Sequence, residues 1–194
     1  MPIQAEWIRT VAPTTEPLTL TEIKAQVVAH QSDDDTILAA YGVVAREEAE
    51  GYMNRALFTQ TWKLEQSDWA DEMRLPMAAP LQSVSSVQYY DAAGTLAALA
   101  SSAYIVDTTA IPGRVLRAPN QVWPALQADR AMRVVITYVC GWSAAAQIPE
   151  RIKQGLRVHI TASDMDRAGA ESEASFAAAR ALWAPMRVYW RPPC

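Results

Sequence analysis

Apolar residues recur at helical spacing between residues 18 and 54, alternate with polar ones between 58 and 142, and return to helical spacing from 149 to 184. In "LTLTEIKAQVVA", Thr19 and Glu22 have the spacing of a capping box, and Leu18 with Ile23 that of a hydrophobic staple. Ser32 is the expected next N-cap, with Asp33, Asp34 and Asp35 in the first turn, where acids favour the helix dipole. The second helix is predicted over 33–54. Its apolar stripe is Ile37, Leu38, Tyr41, Val44, Ala45, Glu48 and Tyr52, and Arg46, Glu47 and Glu50 form a wet opposite face.

From Phe58 the period becomes two. "FTQTWKLEQ", "SVSSVQYYDAAGTL", "AYIVDTT", "GRVLRA" and "RVVITYVCGW" read as five or six strands, joined by short turns into an antiparallel meander. Trp62, Tyr89, Tyr104 and Trp142 are expected to pack this sheet, and Trp123, in a proline-flanked loop, reads as core lid or contact residue. A third helix opens at Pro149 and Glu150 and carries Ile152, Leu156, His159, Ile160 and Ser163 on one stripe. A short alanine-rich helix follows and ends at Pro185. The predicted class is α+β: a small helical bundle with an inserted antiparallel β-sheet and an extended C-terminal tail. Its segments are an N-terminal helical part (1–57), the β region (58–148), C-terminal helices (149–184) and an arm (185–194).

Composition narrows the function more by exclusion than by motif. With 51% hydrophobic and 20% charged residues, the chain is of ordinary globular type. Residues 1–57 carry nine acids and four bases, whereas the last fifteen carry three arginines and no acid. An acidic body is a poor static ligand for DNA, so sequence-specific reading is set aside. "MPIQAEWIRT" lacks the regions of a signal peptide, and no apolar run has membrane-helix length, so no membrane partner is expected. Cys140 and Cys194 do not make a disulfide framework, and a reducing cytoplasm fits them. No phosphate-binding loop, nucleophile elbow, dinucleotide fingerprint or CxxC occurs, and the two histidines sit apart. His159, between Val158 and Ile160, reads as structural. His30 with the aspartates is a poor ion site without a loop to converge them. No enzyme, cofactor, metal site or catalytic residue is expected.

The ending "ALWAPMRVYWRPPC" has two readings. It is a terminal strand laid on the chain's own sheet or bundle, or a segment that adds to a neighbour or partner. The aromatic and arginine residues Trp183, Arg187, Tyr189, Trp190 and Arg191, with Pro185, favour the second, because these types dominate interface hot spots.

In order along the chain, "EPLTLTEIKAQV", "SDDDTILAAYGVVAREEAEGYMNRALFTQTWKL", "LPMAAPLQSVSSVQYYDAAGTL", "YIVDTTAIPGRV" and "VVITYVCGW…IPERIKQGLRVHI" resemble the head–tail connector proteins of tailed phages. This is the adaptor or head-completion family, in its strand-insertion type, found also in prophages and gene transfer agents. The resemblance covers 16 to about 160, and "ALWAPMRVYW" is similar to the family's ending; 161–180 depart from the pattern. The resemblance implies a virion component made in the bacterial cytoplasm and placed at the head–tail junction. It further implies a homo-oligomeric ring, typically of twelve copies, under the portal protein and above a stopper or tail-side connector, with DNA passing non-specifically through the centre. By the same resemblance, residues 185–194 are a portal-facing arm. Glu47 and Glu50 are expected to face the lumen or a neighbouring subunit. The competing expectations are a small-molecule or carbohydrate-binding module with Trp123 in its pocket, and a metal-dependent hydrolase using His30 and the aspartates.

Overall fold

The computed structural model describes residues 3–27, 34–167 and 173–189, and the chain divides into two compact units. One is built of strands, from the described residues up to 12, from 59–141 and from 188–189. The other is helical, from 13–58 and 142–187. The α+β class expected from the sequence is the one observed.

The helical unit contains α1 (Leu20–Val27), α2 (Asp35–Met53), α3 (Glu150–Arg167) and α4 (Glu173–Trp183). The start of α1 is built as its sequence dictates. Glu22 N donates to Thr19 Oγ1 at 3.2 Å, Thr19 N donates to Glu22 Oε2 at 2.8 Å, and the staple residues Leu18 and Ile23 are both buried. The Thr19 N–H and hydroxyl, both donating to the Glu22 carboxyl, hold it below its ordinary pKa. α2 begins later than expected, with Asp34 at its N-cap; Ser32 and Asp33 lie outside the described residues. It ends where Asn54 turns left-handed, a conformation asparagine tolerates, and donates its N–H to Glu50 O. The core joins Leu38, Ala45, Ala49 and Met53 of α2 to Ile152, Leu156 and Ile160 of α3 and Ala179 and Trp183 of α4. Trp142, expected in the sheet, packs against this helical core instead, with the Arg55 guanidinium 5.4 Å above its ring.

Among the described residues, the strand unit holds eight strands in two antiparallel sheets. β1 (Ala5–Val11), β2 (Gln60–Gln66), β8 (Val134–Cys140), β4 (Leu81–Tyr90) and β5 (Leu96–Ala98) form a five-stranded sheet in that order. β3 (Glu72–Arg74), β7 (Arg114–Arg117) and β6 (Tyr104–Asp107) form the second. Two expectations are corrected. β1 brings the N-terminus into the sheet, so 1–57 is not wholly helical. The sheet is no meander either, because β8 lies between β2 and β4, pairing Ile136 with Leu64 on one side and Val87 on the other. Those three residues are buried, and Tyr138 of β8 donates its hydroxyl to Pro76 O at 2.6 Å.

Candidate partner interface

Helical periodicity decides the fate of Trp183. One turn after Ala179 on α4, its indole enters the core at 1% exposure and donates Nε1–H to Ile152 O at 3.2 Å. α3 makes room through Gly155, where a Cβ would collide with the indole nitrogen. His159 lies one turn on, its ring centroid 5.9 Å from Trp183 and 4.8 Å from Phe176. Burial lowers the His159 pKa, Glu48 opposes that shift and Arg180 adds to it. Trp183 therefore drops out of the set expected to touch a partner: its surface is spent inside its own bundle.

The face of α2 expected to be wet is in part buried. Arg46 and Glu50 are each about 3% exposed and joined Nη1 to Oε2 at 3.0 Å, one helical turn apart. Glu16 adds a carboxylate to Arg46 Nε at 2.8 Å, and Leu57 N donates to Glu50 Oε1 at 2.7 Å. Burial works against the Arg46 charge, but Glu50 and Glu16 outweigh it, leaving its pKa raised. Charges can be buried when each is paired and hydrogen-bonded. Glu50 is therefore a structural ion-pair member, and the lumen or inter-subunit expectation is corrected for it. Glu47 remains at the surface.

Past α4, Ala184–Met186 form one 3-10 turn containing Pro185, closed by Arg187 N donating to Ala184 O at 3.2 Å. The guanidinium of Arg187 lies 5.3 Å over the Tyr52 ring, a cation–π position. Val188, in the strand unit, is 5% exposed, while Tyr189 is 74% exposed. The extended character expected of the arm thus begins at Arg187, after the 3-10 turn. Trp190 and Arg191 lie outside the described residues. Of the expected residues, Pro185 and Arg187 are exposed in the helical unit and Tyr189 in the strand unit, whereas Trp183 and Glu50 are buried. Sequence reasoning missed Tyr52, which carries Arg187, and Gly155, which admits Trp183; an isolated glycine within a helical stripe was the available signal.

Trp123 stacks on Trp69, centroids 4.6 Å apart and planes at 10°, and Trp69 donates Nε1–H to Pro124 O at 3.0 Å. An open cleft of about 580 Å³ is lined by Asp71, Arg117, Pro119 and Val122 among others, and Trp123 does not line it. Among the described residues no three His, Cys, Asp or Glu side chains gather where they could hold a metal, and Asp35 is paired with Lys24 at 2.7 Å. His30 lies outside the described residues.

No protein-family model matches the chain, and no curated protein does. Solved structures match along nearly its whole length. A chain in the neck of the empty gene transfer agent particle, computed with C6 symmetry, superposes with a TM-score of 0.78 at 19% identity, covering 96% of this chain and 97% of that one. The chain has the fold of a gene transfer agent neck component. A chain of the native gene transfer agent virion gives 0.75 at 19% identity, with 95% and 96% covered. One in the neck of the native particle, computed with C12 symmetry, gives 0.74 at 18% identity, with 96% and 97% covered. The fold likeness therefore extends beyond residues 16–160, which carry the sequence resemblance.

Proposed function

We propose that this protein is a structural connector at the head–tail junction of a phage or phage-like particle. Copies form a ring beneath the portal and above a stopper or tail-side connector, and DNA passes non-specifically through the centre. The observation that carries this reading is the likeness over 96% of the chain to a component of a C6-symmetric neck, with a further match in a C12-symmetric one. Twelve copies satisfy both symmetries. The role is architectural rather than catalytic. In support, His159 is buried between aromatic rings and held toward its neutral form, out of reach of a substrate. A net charge of −4 suits a conduit along which DNA slides without adhering.

Within this reading the portal-facing arm is Pro185, Arg187 and Tyr189, continuing through Trp190 and Arg191, with Trp183 as the anchor at its root. The test mixes the purified protein with DNA-filled heads that bear the portal and lack the connector. A chain stopped after Val188 keeps that buried residue and removes the arm from Tyr189 onward. It should attach at least tenfold less than the full chain while melting at the same temperature. Equal attachment would show that the segment from Tyr189 onward is not the portal contact.

A further inference from the structure

α2 buries Leu38, Ala45, Ala49 and Met53 as a surface helix does, but it also buries two charges and leaves valines outside. Arg46 and Glu50 point into the unit, whereas Ala40, Val43, Val44, Glu47 and Gly51 form its outward stripe, with Val44 48% exposed. A surface helix normally turns charges to water and apolar residues to the core. On α4 the outward face is Ala174, Ala177, Ala178 and Ala181, all exposed, flanked by Arg180. Each face is an apolar surface of the kind that marks a contact with another molecule.

We propose that the outward face of α2 in one copy packs on the outward face of α4 in the next copy around the ring. This rests on the ring reading and specifies its joint. A ring closes through head-to-tail contacts that use two different faces per subunit, and these are two different faces. The alanines of α4 leave shallow grooves in which the Val43–Val44 ridge can seat at a close interaxial distance. The charges are complementary. Glu47, 3.7 Å from Arg46 Nη2 of its own helix, rises from the α2 stripe with its side chain 48% exposed, and Arg180 borders the α4 face with its side chain 58% exposed. Arg180 already lies 3.8 Å from Glu48 of its own chain, an exposed pair to which a neighbour's Glu47 adds a second carboxylate. Of the two places open to Glu47, lumen or neighbour, this joint assigns it the neighbour.

Single-cysteine variants V44C and A178C, each in a C194S background with Cys140 left buried, separate the possibilities. Necks are assembled on connector-free heads, imaged for rings, mildly oxidised and run without reductant. A mixture of the two variants should give covalent dimers, and neither variant alone should give any. Dimers from V44C alone would mean that α2 meets α2, which overturns the head-to-tail joint. Visible rings without dimers in the mixture overturn the joint and leave the ring reading intact. Absence of rings with the unaltered protein overturns the ring reading and the joint with it. As a second arm, V44D should melt like the unaltered protein and enter particles at least tenfold less. Normal entry would also overturn the joint.

Discussion

At the scale of single residues, space and pairing decide which side chains are available to a partner. The indole of Trp183 occupies the volume that a side chain at 155 would need. Gly155→Ala should therefore destabilise the protein by about 1–3 kcal/mol, the usual cost of overpacking a core. The check is a lower urea midpoint with an unchanged m-value. The role of Trp183 was legible in principle. It shares a helix face with Ala179, and a glycine interrupts the facing stripe of α3, but a tryptophan two residues before a proline also looks like the start of an arm. Arg46 and Glu50 were misread for another reason. Charge alone argues for water, and only the convergence of Glu16, Glu50 and Leu57 N on one point makes burial tolerable. Glu16 lies thirty residues before Arg46, so local periodicity could not reveal that convergence.

At the scale of elements, what is encoded locally was readable and what depends on distant pairing was not. The capping box of α1 is contained in four residues, and every hydrogen bond it implies is present. Thr19→Ala should cost about 1 kcal/mol, as caps generally do, seen as a lower thermal midpoint and faster amide exchange in the first turn of α1. The stripe of α3 was equally readable, and Ile152, Leu156, His159 and Ile160 are all buried. β1 escaped notice because "AEWIRTV" neither alternates cleanly nor buries one face; Trp7, Ile8 and Val11 are all exposed. The central position of β8 is set by its partners Leu64 and Val87, neither of them near it in sequence.

At the scale of the whole molecule, the two units should answer acid differently. Burial holds the folded pKa of His159 below its ordinary 6.5, so the folded state binds fewer protons than the unfolded chain as pH drops past that value. The stability this histidine secures is complete above pH 6.5 and is lost as pH falls through its lowered folded value. The charged groups facing it, Glu48 of α2 and Arg180 of α4, both lie in the helical unit. Glu22 and Glu150 have lowered pKa values and stay ionised in that window. Hydrogen exchange at about pH 7 and about pH 5.5, corrected for intrinsic rates, should show protection lost in α3 and α4 and kept in β2, β4 and β8. Equal losses in both units would remove His159 as the cause.

The middle place of β8 also constrains how the molecule is made. β2 and β4 leave the ribosome well before Val134–Cys140, the strand that must lie between them. Nascent chains therefore carry two open strand edges from the completion of β4 at Tyr90 until β8 is made, and the sheet closes only when β8 slots in. In a cell making many copies at once, that interval is when stray edge-to-edge pairing between nascent chains threatens the yield of folded protein.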